Sequence, residues 1–355
     1  MIEIDGSYGE GGGQILRTAV SLSALTMKPI RITNIRAGRP KPGLKRQHIA
    51  GIELTGKLVN ATVKGLDIGS TAVEFVPNDR RSGTFDYDVG TAGSISLVLQ
   101  AVLPPAILSS KPITLNLRGG TDVKWSPPID YMSNIFTRTL VRMGTEIKIN
   151  QKRRGHYPRG GGMVSCEVAP AKEIQPLELI TFGQLKSVEG VSHCVRLPSH
   201  IAERQASSAE DVIQKQLDMK SKINRESYPK GDDPHLGAGS GIVLWAEDEF
   251  GVRLGSDSLG ERGKSAETVG STAAAKLVDE VSTAMAVDSH LSDMLIPYLA
   301  IASGISKIGV TEITSHLTTN IWVTEQILGI KLGLERKSIK SGVLTIEGTG
   351  LSIGE

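Results

Sequence analysis

The sequence predicts an α+β fold: three repeated βαβαββ-type units, each two helices on a four-stranded sheet, packed around a helical core, with a smaller inserted α+β domain. Three observations predict it. The same alternation of β-branched runs and amphipathic stretches recurs three times, each round roughly 80 residues long. Glycine, asparagine or proline punctuates each change of period. Residues 183–278 break the rhythm with a compact set of their own, so the core domain is predicted over 1–182 and 279–355 and the insert over 183–278.

The first round opens with the strand "MIEI", followed by apolar Ile15, Ala19 and Leu22 at helical spacing. Leu44, Ile49, Ile52 and Leu58 mark a second helix. The strands "PIRITNI", "ATVKGL" and "AVEFVP" complete the unit. The second round reads as strand "TFDYDV", a helix over 93–108, strand "PITLNLRGG", a helix from Pro127 to Met143, and strands "TEIKIN" and "MVSCEV". The third reads as a helix over 288–303, strand "SKIGVTEI", a helix over 316–328, and paired strands "LGLERKS" and "GVLTIEG". The insert holds "LKSVEGVSHCVRL", a helix over 200–217, a polar stretch "YPKGDDPHLGAGS" read as a mobile loop, the hairpin "GIVLWAEDEFGVRLG" and a helix after Ser265.

Composition narrows the function. With 39% hydrophobic and 22% charged residues and no apolar run of about 18, no membrane span is expected. The acidic start "MIEIDGSYGE" is unlike a secretory signal, so a cytoplasmic location is expected. Two cysteines, Cys166 and Cys194, are too few for a structural zinc site or a disulfide framework, and both are read as reduced, buried fillers. A net charge of +2 excludes a bulk polycation, and 4% aromatic residues argue against an extended base-stacking platform.

Several short stretches carry chemistry, each with a plainer reading beside it. "GEGGGQILRT" places three glycines between Glu10 and Arg17 and serves a phosphate-binding turn or a structural corner equally well. "GRPKPGLKRQH" offers Arg39, Lys41, Lys45 and Arg46 just after Arg36; two arginines three apart can clamp a phosphate, or simply face solvent. "RGHYPRGGG" allows close backbone approach, or a wide hairpin. His48 is either functional or paired on its helix face, whereas His193, His200 and His235 have no partner at motif spacing and read as surface or packing residues. His316 in "TEITSHLTTNIW" falls at the first turn of a helix, where the free N–H groups favour a neutral imidazole and a nearby phosphate. That suits a nucleophilic nitrogen; the plainer reading has His316 beside a cap supplied by Ser315.

Taken together, "DGSYGEGGGQILR", "IRAGRPKPGLKRQH", "GTAGSISLVLQAVLP", "GGTDVKWSPP", "RGHYPRGGG", "HLSDMLIPYLA" and "SHLTTN" resemble the RNA 3'-terminal phosphate cyclase family along essentially the whole chain. The resemblance implies ATP as cosubstrate, a divalent magnesium or manganese ion, and RNA with a 3'-terminal phosphate as partner, and it leaves a homo-oligomer open. It also implies three steps: His316 takes AMP from ATP as a phosphoramidate, AMP passes to the RNA 3'-phosphate, and the 2'-hydroxyl closes a 2',3'-cyclic phosphate. Arg17, Arg36 and Arg39 would act with His316, and Glu10 would hold the metal. Gln47, Gln100, Pro128, His290, Leu291, Ser292, Asp293 and Met294 would bind the nucleotide. The chain departs from the pattern of bacterial members at His290 and Met294, where they carry an aromatic residue and a glutamine, so adenine packing is the least constrained part of the carry-over. Two other classes compete: a non-catalytic relative acting in ribosomal RNA processing, which would lack the histidine, and an enolpyruvyl-transferase-like enzyme built on similar units, which would form no enzyme-bound AMP.

Overall fold

Parallel neighbouring strands need a crossover between them, and in this chain helices supply it. The structure, a computed structural model, describes residues 1–9, 11–231 and 235–352. Strand β1 (Ile2–Asp5) leads through helix α1 (Gly13–Thr26) to the parallel strand β2 (Ile30–Thr33). Helix α2 (Arg46–Leu58) then leads to the antiparallel strands β3 (Thr62–Lys64) and β4 (Val73–Val76), giving the spatial order β1-β2-β4-β3.

The second sheet uses β5 (Gly83–Asp88), helix α3 (Ile95–Ile107), β6 (Ile113–Gly119), a helical stretch over 129–141, β7 (Ile147–Arg153) and β8 (Gly162–Val168), in the order β5-β6-β8-β7. The helical stretch is not the single helix expected over 127–143. It divides into α4 (Ile129–Tyr131), a π-turn (Met132–Phe136) and α5 (Thr137–Val141). Ser133, Asn134 and Thr137 donate side-chain hydrogen bonds to the carbonyls of Ile129, Asp130 and Ser133, and such back-bonding competes with the main-chain ladder.

The third sheet begins with β9 (Glu178–Leu179), a strand that sequence periodicity does not reveal, parallel to a strand more than 120 residues away. Between them the chain builds a fourth sheet: β10 (Leu185–Val195), helix α6 (His200–Leu217), β11 (Ser221–Tyr228), β12 (Gly239–Asp248), β13 (Arg253–Leu259) and helix α7 (Ala266–Ser282), ordered β11-β10-β12-β13. The polar stretch read as a loop joins β11 to β12, and its residues 232–234 lie outside the described residues. The helix expected over 288–303 is two short ones, α8 (Ser289–Met294) and α9 (Ile296–Leu299), because Pro297 in the first turn of α9 has no N–H to continue the α8 ladder. Then come β14 (Ile305–Val310), helix α10 (Ser315–Leu328), β15 (Leu332–Arg336) and β16 (Gly342–Glu347), in the order β9-β14-β16-β15.

Helix α1 lies innermost, buried on nearly every face and packed against α2, α3 and α10. Fully burying a Leu or Ile side chain contributes about 1.5–3 kcal/mol, and α1 buries Ile15, Leu16, Leu22 and Leu25. Both cysteines are free and buried, and burial pushes the Cys166 thiol up to about 12, so it is inert. No helix among the described residues is long and apolar enough to cross a membrane.

Two buried polar junctions fasten the fourth sheet to its neighbours. At one, Arg154, after β7, meets Asp130 at 2.8 Å, Glu226 of β11 at 2.8 Å and Asp122 at 3.3 Å, while His156 faces His193 of β10 across 3.1 Å. At the other, the fully buried Asp288 caps α8 by accepting from the backbone N–H groups of His290 and Leu291. It also accepts from the Tyr131 hydroxyl at 2.6 Å and from Gly255 N of β13 at 2.8 Å. The substitution Asp288→Asn would turn an amide NH2 toward one of these donors and leave a buried polar pair facing donor to donor. Its expected cost is about 1–3 kcal/mol, read as a lower urea midpoint of unfolding; an unchanged midpoint would mean the junction contributes nothing to stability.

Candidate active site around Asp293

The sequence places "GGGQILR" where β1 turns into α1, and the fold brings that turn against α8 and α10. Gln14 Nε2 donates to Asp293 Oδ2 at 3.1 Å. Asn320 of α10 donates to the Asp293 carbonyl at 2.9 Å, and its own Oδ1 accepts from Thr18 of α1 at 2.6 Å. Three helices thus converge on one residue at the end of α8. Stacking of Tyr8 on Trp322, with ring centroids 4.0 Å apart, fastens the same turn to α10.

Asp293 is held in electrostatic tension. Burial pushes its carboxyl above the usual range, and His316, then His290 and Arg17, pull it back. Arg17 is half-buried and donates to Gln14 Oε1, with its Nε unpartnered. Burial lowers its guanidinium to about 10, with Asp293 opposing. His316 is exposed, the second residue of α10. The cap of that helix is Thr314, whose hydroxyl accepts from Leu317 N at 3.0 Å; Ser315, the expected cap, is already the first helical residue.

The basic loop closes over the glycine turn. Arg36 sits at φ 56° and is buried, with its NH1 donating to the carbonyls of Lys41 and Gly43 at 2.8 Å each, so part of this guanidinium shapes its own loop. Arg39 is exposed, its NH2 within 3.3 Å of where a side chain on Gly12 would begin. His48 is buried at the start of α2 and accepts from Lys45 N at 3.1 Å through Nδ1. A Cβ on Gly13 would lie 2.4 Å from His48 Nε2, so this position has no room for any side chain. Burial, then the charges of Arg17, Arg36 and Lys45, hold the His48 imidazole down at about 3, and it is neutral. The N-cap of helix α1 is Gly12, and among the described residues no side chain caps it.

The remaining expected residues divide. His290 is exposed and pairs with Asp257 of β13 at 3.3 Å; burial works against its charged form, but Asp257, with Asp288 and Asp293, raises it to about 9. Leu291, Ser292 and Met294 are buried within α8. Gln47 is half-buried with its Cβ close to Gly93. Gln100 lies on α3 and Pro128 just ahead of α4, and among the described residues no hydrogen bond joins either to Asp293. Glu10, the expected metal ligand, lies outside the described residues. Sequence reasoning missed Gln14, Asn320, Asp257 and Asp288. The first two stand inside quoted motifs, "GGGQILR" and "SHLTTN", but nothing in those motifs gives them a role; the other two belong to no motif.

Fold and site together describe an α+β protein with a histidine and a guanidinium gathered about a half-buried carboxyl at the start of two helices. Comparison with known proteins gives that class its family: the model for RNA 3'-terminal phosphate cyclase matches residues 8–334. The chain is 51% identical over 350 residues to the RNA 3'-terminal phosphate cyclase of Methanopyrus kandleri, covering 99% of each. It is 49% identical to that of Staphylothermus marinus, again over 99% of each, and 49% identical to that of Thermococcus sibiricus over 97% of each. The chain belongs to the RNA 3'-terminal phosphate cyclase family.

The neutral His48 makes stability depend on pH. Its unfolded form binds a proton below about 6.5 and its folded form only near 3, so its stabilising contribution is present above 6.5 and lost as pH falls toward 3. An asparagine in its place would keep a side-chain acceptor for Lys45 N without titrating. His48→Asn is therefore expected to flatten the acid side of the stability profile by up to about 1.36 kcal/mol per pH unit between about pH 4 and 6, measured by urea unfolding. Parallel profiles for the two proteins would show that His48 titrates normally.

Proposed function

We propose that this chain converts an RNA 3'-phosphate to a 2',3'-cyclic phosphodiester at the expense of ATP, with His316 as the nucleophile. The observation that carries the reading is the convergence of His316, Arg17 and Gln14 on Asp293. An exposed imidazole beside a carboxylate can be oriented for attack without being far from solvent, where a nucleotide must enter.

In the proposed sequence, a ring nitrogen of His316 forms a bond to the α-phosphorus of ATP as the bond to the β-phosphate oxygen breaks, and pyrophosphate leaves. An oxygen of the RNA 3'-phosphate then attacks that phosphorus, breaking the P–N bond and giving RNA(3')pp(5')A. Finally the ribose 2'-oxygen bonds to the 3'-phosphorus, its proton passes to solvent, and AMP leaves with the anhydride oxygen. Activation is required because a phosphate monoester has no good leaving group of its own. Arg17 and Arg39, beside the uncapped start of α1, would neutralise phosphate charge, and Arg36 would hold the basic loop in shape. His290 and the α8 segment would border the nucleotide, with Gln47, Gln100 and Pro128. A magnesium or manganese ion would supply charge neutralisation when bound; the Asp293 carboxylate is the kind of oxygen donor such ions take, and Glu10 is proposed to hold the ion with it. The same reading takes the three like-ordered sheets as copies of one unit and the fourth sheet, with its helices, as an inserted domain.

Incubation with ATP labelled at the α-phosphate and magnesium or manganese, without RNA, tests the first step. Protein-bound label that is acid-labile and alkali-stable is expected, and none on His316→Ala. Asp293→Asn should slow labelling on the order of 10²-fold by misorienting the imidazole. Absence of label with either metal, or equal labelling of the His316→Ala protein, would overturn the mechanism and favour a non-catalytic role with RNA.

A further inference from the structure

We propose that Asp122, His156 and His193 form a binding site for a zinc-class divalent metal ion that clasps the fourth sheet to the second. His193 stands on β10; Asp122 and His156 stand in the loops after β6 and β7. Their side chains meet only because the fold brings three distant stretches together.

The geometry fits coordination. His156 Nε2 and His193 Nε2 are 3.1 Å apart, His193 Nε2 and Asp122 Oδ1 are 3.6 Å apart, and one potential ligand atom from each residue lies within 4.8 Å of the others. Two nitrogens at that separation subtend roughly 100° at a centre about 2.05 Å from each, and the nitrogen–oxygen pair roughly 120°, values that bracket a tetrahedron. All three residues are essentially inaccessible, at 2%, 4% and 0% exposure for Asp122, His156 and His193. Among the described residues neither Nδ1 has a hydrogen-bond partner, and the two Nε2 atoms face each other.

Charge and space point the same way. The acidic groups of Asp122, Asp130 and Glu226 surround the guanidinium of Arg154, so acids outnumber the base at this junction. A divalent ion would favour the ionised forms of these acids, and burial makes that gain larger. Strand β12 leaves room for the rings: a Cβ on Gly239 would fall 2.2 Å from the His156 ring, and one on Gly241 3.1 Å from that of His193. Imidazole with carboxylate is a donor set for zinc and its neighbours, unlike the oxygen donors that magnesium prefers, so this site is separate from any metal accompanying ATP.

The experiment uses the full chain, without a histidine tag, purified without chelator and analysed by mass spectrometry for metals. About one zinc-class ion per chain is expected, falling at least tenfold in His193→Gln and Asp122→Asn and retained in His48→Asn. After stripping with a chelator, added cobalt(II) should give the intense visible absorption of a tetrahedral ion at one equivalent. Wild-type protein that is isolated metal-free and binds no cobalt overturns the proposal, as does metal retained by the folded variants. Should a variant fail to fold, the cobalt spectrum of the wild-type chain decides.

Discussion

Asp293, half-buried where three helices meet, is the point on which the site depends: burial pushes its carboxyl above the usual range, and His316, His290 and Arg17 oppose that rise. A carboxylate moved out of water loses solvation that only opposite charges and hydrogen bonds can replace. Here the replacement comes from separate parts of the chain: Gln14 and Arg17 on α1, His290 beside it on α8, and His316 at the head of α10. Each must reach the same point, so α1 has to approach closely. Helix α1 can do so because its first residue is glycine, with Gly13 leaving its side-chain space to the His48 ring. Gly13 is thus a packing requirement of the helix that carries Arg17, whereas Gly11 is required by its φ of 55°. Glycine at the N-cap also leaves the start of α1 without a side-chain cap among the described residues.

The positive charges around that point also constrain one another. Burial, with Arg17, Arg36 and Lys45, holds His48 in its neutral form, and burial with Arg39 lowers the guanidinium of Arg36 from its usual range. A neutral His48 can then accept from Lys45 N and begin α2, which holds the basic loop against the glycine turn. The loop tolerates its crowding because the imidazole at its end stays uncharged and Arg36 spends donors on the loop's own carbonyls.

Helices and most strands are legible in the sequence because burial on one face imposes a period that survives there. Helix α1 is read from Ile15, Ala19 and Leu22, all of which are fully buried. The misses have physical reasons. Strand β9 has two residues, too few for any period, and it exists only because β14 lies beside it. The breaks in the helices over 129–141 and 289–299 come from side-chain hydrogen bonds and one proline, which apolar spacing does not report. In the site, motifs point to His316, Arg17 and Asp293, but Asp288 and Asp257 act through a contact between α8 and β13 that has no local signature. His193 reads as packing for the same reason: its partners His156 and Asp122 are contributed by other loops.

That α8–β13 contact has a consequence for the charge at Asp293. His290 is protonated near neutral pH chiefly because Asp257 faces it, and His290 is one of the groups that oppose the burial-driven rise at Asp293. Asp288, between them, fixes the start of α8 and the backbone of β13 with the same carboxylate. The electrostatic state of the central carboxylate is therefore set partly by a residue on a sheet that contributes nothing else to the cluster. A fourth sheet fastened at two buried polar junctions, one at Asp288 and one at Arg154, holds Asp257 at a fixed distance from His290. Rigid attachment of that sheet is then part of what makes the site chemically defined, and the polar residues spent on the junctions are accounted for by the charge they hold in place.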